Sequence, residues 1–200
     1  MQPDQNRTLL SATDTVLVVV DVQERLVPAV SEHERIVWNT RRLIDGAKLF
    51  AVPVLVTEQY PKGLGPTMPE LIAALPKNTP VMEKKSFSAC LVPEFLDELR
   101  RRASVCKVLL AGMEAHVCIL QTALDLLSLG YEVYLVVDAV GSRFASDERI
   151  ALRRLESSGV IPTTTESVLF QWCRTADAPQ FKTVSRLVRE ERMPLYTEAG

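Results

Sequence analysis

Three side chains in this sequence could together support nucleophilic catalysis, because an aspartate, a lysine and a cysteine each follow an apolar run. Cys118 comes after the run VCKVLLAG and the short turn GMEAH, at the start of an amphipathic helical pattern. A thiol at a helix N-terminus lies at the positive end of the helix dipole, which predicts a lowered pKa and a reactive thiolate. Asp21 ends the run TVLVVVDV, where a buried carboxylate needs a cation or a solvated cleft. Lys84, which follows the strand pattern around Thr79–Met82, could be that cation.

Each of these residues also has a simpler interpretation. Asp21 alone could cap a turn, Lys84 alone could be a solvated turn residue, and Cys118 alone could be a small buried thiol. Placing all three at strand ends of one sheet is a more specific pattern, and it favours a shared site.

The elements that must position these residues alternate along the whole chain. Apolar β-branched runs are separated by segments of helical period, in about six strand–helix units with no internal repeat and no long linker. This alternation predicts a three-layer α/β/α sandwich with a doubly wound, mainly parallel six-stranded sheet of Rossmann-like type. In such sheets ligands bind at the carboxyl ends of the strands, near the switch point. We therefore predict one domain over residues 1–200, with a core at about 13–190.

Composition excludes several classes of protein. Apolar residues make up 47% and charged residues 24% of the 200 residues, as in an ordinary globular domain. The 23 basic and 25 acidic residues nearly cancel, and no basic block stands apart, so no nucleic-acid partner is expected. The apolar runs are shorter than the ~20 residues that span a bilayer, so no membrane partner is expected. The polar N-terminus lacks a secretory apolar core, which favours a cytoplasmic location.

The cysteines and histidines bear on metal and redox chemistry. Four cysteines form no CxxC pair and are expected to be thiols; Cys106 and Cys173 fit buried positions, whereas Cys90 is ambiguous. Only His33 and His116 are present, so no three-histidine centre can form within this chain. His33 is expected at the surface. No glycine-rich phosphate fingerprint follows a strand, and we predict neither a metal nor another cofactor.

Three segments resemble the isochorismatase-like cysteine hydrolase family, which also contains nicotinamidases and N-carbamoylsarcosine amidohydrolase. VLVVVDVQ is similar to the family's first strand with its catalytic aspartate, and EKKSFSAC is similar to its lysine segment. LLAGMEAHVCILQTALDLLSLGYEVYLVVDAVGSR resembles the nucleophile stretch and is the most specific of the three. The resemblance covers residues 13–190, and SGVIPTTTESVLFQW is most similar to members without a metal site and with unsettled substrates.

The resemblance implies a catalytic triad of Asp21, Lys84 and Cys118. In that mechanism Cys118 attacks an amide or related carbonyl to give an acyl-enzyme, and Asp21 takes the thiol proton and later activates water. Lys84 holds Asp21 and stabilises the thiolate. The family also implies a non-proline cis peptide bond between Met113 and Glu114, which directs the backbone N–H groups of Glu114 and Cys118 at the oxyanion.

Departures from the family pattern narrow the predicted substrate. Nicotinamidases carry a D-x-H metal motif after the second strand, where this chain reads TEQYPKG, so a metal-bound nicotinamide is not expected. Isochorismatases that cleave a vinyl ether do not need the cysteine, so Cys118 indicates acyl chemistry on a small amide or carbamoyl substrate. Strand-end positions suggest four pocket-lining residues: Gln23, Tyr60, Phe87 and His116. Tyr60 could equally pack within its loop, and His116 could equally be a turn residue.

Two other functions stay open from the sequence. The chain could be a catalytically silent relative that binds a small ligand or a protein, or a redox-responsive thiol protein in which Cys90 resolves an oxidised Cys118. Relatives are often oligomers, so a homodimer or a larger homo-oligomer is expected. The helix at 146–158 and the aromatic tail residues Phe170, Trp172 and Phe181 offer a contact surface, although the aromatic side chains could equally pack in the core.

Overall fold

The sheet has six parallel strands in the order β3-β2-β1-β4-β5-β6 in a computed structural model that describes residues 9–102 and 104–191. The strands are β1 (Thr15–Val20), β2 (Val54–Gln59), β3 (Val81–Lys84), β4 (Lys107–Met113), β5 (Glu132–Gly141) and β6 (Ile161–Thr163). The chain runs outward from β1 to β3 and then crosses back to β4. The switch point therefore lies between β1 and β4, and the predicted doubly wound sheet is confirmed.

The described residues contain eight α-helices, six that lie between strands and two that follow β6: α1 (His33–Leu49), α2 (Pro61–Leu64), α3 (Pro69–Ala74), α4 (Pro93–Arg100), α5 (Leu120–Ser128), α6 (Ala145–Ser157), α7 (Thr165–Cys173) and α8 (Phe181–Val188). Proline begins α2, α3 and α4, where its missing N–H is not needed. Gly130 and Gly159 follow α5 and α6 with positive φ angles, a conformation that commonly ends a helix. None of the helices in the described part is long and apolar enough to cross a membrane.

Two hydrophobic cores fill the space on either side of the sheet. Leu17 and Val19 of β1 pack with α1, α3, α7 and α8, whereas Val16, Val18 and Val20 pack with α4, α5 and α6. Alternate residues of a strand point to opposite faces, so a strand of continuous aliphatic residues is buried on both faces. The three-layer arrangement predicted from the apolar runs is confirmed.

The two edge strands are the shortest in the sheet. β3 has four residues, with exposed Val81 and Glu83 alternating with buried side chains, and β6 has three residues, with Pro162 in the middle. The sequence pattern predicts a strand around 79–82, whereas β3 begins at Val81 and ends on Lys84 itself. Lys84 therefore belongs to the last position of the strand and not to the loop that follows it.

Close contact between the backbones of β1 and β4 brings their carboxyl ends together. Val20 and Gly112 are register partners, and Gly112 has a φ angle of 122°. A Cβ atom at Gly112 would lie 2.0 Å from the Val20 carbonyl oxygen. Only glycine fits at this position of β4. Its register partner Val20 is the last residue of β1 and directly precedes Asp21.

Candidate active site

Asp21, Lys84 and Cys118 lie together at the carboxyl edge of the sheet. Asp21 follows β1 directly, Lys84 ends β3, and Cys118 lies in the π-helical turn Ala115–Ile119 between β4 and α5. Asp21 has a left-handed backbone conformation with φ of 54°, at the point where the chain leaves the strand. The three elements meet beside the switch point, where an open α/β sheet places its ligands.

Asp21 and Lys84 form a fully buried ion pair. The Lys84 Nζ to Asp21 Oδ2 distance is 2.6 Å, and both side chains are 0% exposed. The Thr57 hydroxyl donates to Asp21 Oδ1 at 2.7 Å, and Lys84 also donates to Gln59 Oε1 at 2.7 Å and to the Phe87 carbonyl at 3.0 Å. Buried charges are tolerated when they are paired and their hydrogen bonds are satisfied. Here both conditions hold, so the two charges are fixed in place.

The Cys118 thiol contacts both members of this ion pair. Both charged groups are close enough to influence its ionisation through charge and hydrogen bonding, and Cys118 is 6% exposed. The pKa of Cys118 is raised to about 12, mainly by burial and then by the charge of Asp21, while Lys84 opposes both effects. The lowered pKa predicted from the helix dipole is therefore wrong for the free protein, because burial and a carboxylate outweigh the dipole. Cys118 is a neutral thiol beside a carboxylate that can accept its proton.

The raised thiol pKa values predict that stability falls in alkaline solution. Burial raises the pKa of Cys90 and of Cys118 to about 12, whereas a thiol in the unfolded chain ionises near ~8.5. Between these values the unfolded chain releases protons that the folded chain keeps, so stability decreases as pH rises. Each thiol contributes about 1.4 kcal/mol per pH unit in that window.

Urea unfolding between about pH 7 and pH 11 measures this loss. The Cys90→Ala variant should lose stability less steeply than the parent protein above about pH 9, because one of the two thiols is gone. Parallel stability curves for the two proteins would contradict the prediction.

Side chains at the ends of β4 and β5 hold the turn that carries Cys118. The Glu114 carboxylate accepts from the backbone N–H of Arg143 at 3.2 Å and from its Nε at 2.9 Å. His116 Nδ1 and the buried Ser142 hydroxyl are 2.9 Å apart. The Met113–Glu114 peptide bond is cis, at the position that the resemblance implies. The oxyanion role of the Glu114 and Cys118 N–H groups stays a prediction.

The four predicted pocket residues differ in placement. Gln23 is 0% exposed, and its amide is used by the backbone of Gln59 and Gly65, so it is not an open pocket wall. Tyr60 and Phe87 are 52% and 51% exposed, on the two loops that flank Lys84. His116 lies in the Cys118 turn and is partly exposed. These three remain candidates for substrate contact.

The remaining thiols and aromatic residues are placed as follows. Cys90 and Cys173 are buried, whereas Cys106 precedes β4 and is exposed, contrary to expectation. Trp172 is buried and packs near Phe50, with a 6.4 Å distance between ring centroids, so it belongs to the core and not to a contact surface.

The comparisons with known proteins all indicate the same family. Residues 15–167 match the isochorismatase domain model. The chain is 42% identical over 176 residues to mouse isochorismatase domain-containing protein 2A, covering 88% of this chain and 83% of that protein. A solved structure described as MAR1 ribonuclease from Caenorhabditis elegans is 40% identical, with a TM-score of 0.87 over 94% of this chain and 99% of that one.

A solved structure with lower identity also shares the fold. The YcaC gene product of Escherichia coli, described as an octameric hydrolase of unknown specificity, is 25% identical, with a TM-score of 0.84 over 90% of each chain. With the domain match over most of the chain and the curated relative at 42% identity, the chain belongs to the isochorismatase family of hydrolases.

Proposed function

We propose that this protein is a cysteine hydrolase that cleaves a small amide, carbamoyl or related substrate through a covalent acyl-enzyme. The observation that carries the proposal is the contact of the Cys118 thiol with the buried Asp21–Lys84 ion pair. A carboxylate that can take a proton, a fixed cation and a nucleophile within hydrogen-bond reach are the parts that nucleophilic catalysis needs.

The proposed reaction begins from the neutral thiol. The Cys118 proton passes to the Asp21 carboxylate as the sulfur attacks the carbonyl carbon, and a carbon–sulfur bond forms. The negative charge on the carbonyl oxygen is stabilised by the backbone N–H groups of Glu114 and Cys118. The carbon–nitrogen bond then breaks, and the leaving amine takes the proton from Asp21.

The second half of the reaction releases the acid product. Asp21 removes a proton from water, the resulting hydroxide attacks the thioester, and the carbon–sulfur bond breaks. Cys118 leaves as a thiolate beside Lys84 and regains its proton from Asp21. Lys84 transfers no proton in either half of the reaction and donates hydrogen bonds to Asp21, Gln59 and the Phe87 carbonyl.

Intact-protein mass spectrometry after incubation with a panel of small amides and carbamoyl compounds tests this proposal. A mass increase equal to the acyl group, mapped to Cys118 by peptide digestion, is the expected result. Cys90→Ala is the matched control, since it removes another buried thiol and should leave the adduct in place. Turnover that persists in Cys118→Ala would show that the cysteine is not the nucleophile.

The name of the Caenorhabditis elegans relative suggests a competing activity, ribonucleolysis. The site favours acyl transfer, because its nucleophile is a thiol and both charged side chains are buried against each other. A labelled RNA incubated with the parent protein and with Cys118→Ala separates the two functions. Cleavage of RNA by both proteins, with no amide turnover, would overturn the proposed reaction.

We further propose that the protein forms a homo-oligomer in the cytoplasm and acts on a small molecule. The octameric state described for the Escherichia coli structure supports self-association in this fold. Phe144 and Ile150, at the start of α6 and within it, are exposed apolar side chains that would suit such a contact. Light scattering of the purified protein measures the assembly directly.

A further inference from the structure

The last residues of β2 and β3 are paired beside the candidate active site. Gln59 and Lys84 are register partners in these parallel strands, so their side chains project from the same face of the sheet. Gln59 Oε1 accepts from Lys84 Nζ at 2.7 Å, while Gln59 Nε2 donates to the Lys85 carbonyl at 3.0 Å. Each end of the amide has the partner that its chemistry requires, so the side chain has one favourable orientation.

A second glutamine fixes the backbone from which Gln59 projects. Gln23 Oε1 accepts from the Gln59 N–H at 2.7 Å, and Gln23 Nε2 donates to the Gln59 carbonyl at 3.1 Å. The same nitrogen donates to the Gly65 carbonyl at 2.6 Å. Gln23 is two residues from Asp21, so it links the loop that carries the carboxylate to the residue that contacts the lysine.

Lys84 has more acceptors around it than protons to donate. Its ammonium group has three N–H bonds, and it is within hydrogen-bond distance of Asp21 Oδ2, Gln59 Oε1, the Phe87 carbonyl and the Ser86 carbonyl. Asp21 and Gln59 are the two nearest, at 2.6 and 2.7 Å. With the Phe87 carbonyl, these two contacts hold the ammonium group in position, and Lys84 acts on the Cys118 thiol from that position through charge and hydrogen bonding.

We propose that Gln59, held by Gln23, is a positioning residue that keeps the Lys84 ammonium group within reach of Cys118. The inference deepens the proposed cysteine chemistry and rests on it. Gln59 touches no reacting atom; it acts on Cys118 through Lys84.

Alkylation of Cys118 by iodoacetamide, followed by peptide mass spectrometry across pH, tests this role without any substrate. A cycle of four proteins is compared: the parent, Gln59→Met, Lys84→Met and the double variant. Gln59→Met should slow alkylation of Cys118 on the order of 5-fold at mildly alkaline pH and move its profile to higher pH. Lys84→Met should slow it more, and adding Gln59→Met to Lys84→Met should change nothing further.

Two controls separate positioning from general loosening. Cys90 serves as an internal reference, because an opened structure would speed the alkylation of both buried thiols. Gln171→Met removes another hydrogen-bonded glutamine on α7, away from the site, and should leave Cys118 alkylation unchanged. Gln59→Ala repeats the test if the methionine variant does not fold.

An unchanged or faster rate of Cys118 alkylation in Gln59→Met would overturn the proposal. The proposal would also be overturned if Gln59→Met slowed alkylation by the same factor in the parent protein and in the Lys84→Met variant. The amide panel on the parent protein is independent of this result. Failure of the panel therefore counts against the hydrolase function, whereas failure of the alkylation cycle counts against the positioning role alone.

Discussion

Replacing Asp21 with asparagine is expected to stop hydrolysis and to make Cys118 more reactive towards iodoacetamide. Turnover on any substrate found should fall on the order of 10³-fold, because the variant has no carboxylate to accept the thiol proton. The charge of Asp21 and its hydrogen bond both raise the pKa of the Cys118 thiol, whereas Lys84 lowers it. Removing the carboxylate leaves the lysine effect unopposed, so the thiol should ionise at lower pH.

Alkylation rates and turnover measured on the same preparations test these opposite effects. Asp14→Asn is the matched control, because Asp14 pairs with Lys107 at 2.9 Å at the other end of the sheet. That variant should change neither rate. Slower alkylation in Asp21→Asn would show that Asp21 promotes thiolate formation in the free protein, contrary to the electrostatics of the site.

Replacing Gly112 with alanine is expected to be among the most destabilising single changes in the chain. The new Cβ would lie 2.0 Å from the Val20 carbonyl oxygen, and the φ angle of 122° disfavours any L side chain. β1 and β4 would have to separate next to Asp21. A loss of roughly 3–5 kcal/mol is expected, together with a fall in Tm of about 10 °C.

Thermal unfolding followed by circular dichroism measures this loss, with Gly130→Ala as the matched control. Gly130 also has a positive φ angle, 88°, but a Cβ added there would meet no atom within 4 Å beyond its chain neighbours. This control should cost about 1 kcal/mol, from backbone strain alone. Similar losses in the two variants would show that the close contact of β1 and β4 contributes little.

The sequence is sufficient to predict that Asp21, Lys84 and Cys118 lie near the ends of strands of one sheet. Aliphatic runs place Asp21 at the end of one strand and Cys118 in the turn after another, and the carboxyl ends of parallel strands share one edge. The alternation of strands and helices predicts the layers for the same reason. The pattern also places Lys84 near the correct strand, although the short apolar run puts the end of β3 two residues too early.

The thiol pKa could not be predicted from the local pattern. The helix dipole is a property of the segment after Cys118, whereas burial and the charge of Asp21 depend on three elements distant in sequence. The larger effects on the thiol pKa therefore arise from tertiary structure. Whether they raise or lower the pKa can be read only from the folded arrangement.

Thr57 and Gln59 contribute to the site, but neither was predicted. The two-residue alternation of side chains along β2 could have indicated them. Leu55 packs with the core on the α4, α5 and α6 side of the sheet, and counting two and four residues onward puts Thr57 and Gln59 on that face. Gln23 is wrongly predicted as an open pocket wall, because its position near the end of β1 does not reveal that the neighbouring backbone uses its amide.

The short edge strands limit how copies of this protein can join. An exposed strand edge is a template on which another chain can add a strand, and proline or charged residues block that addition. β6 has Pro162 in the middle of its three residues, and β3 has exposed Glu83 and is followed by exposed Lys85. Fusion of two sheets into one continuous sheet is therefore disfavoured at both edges. Contacts between copies are left to the helical layers, where a point substitution can weaken an assembly without disturbing the sheet that holds the site.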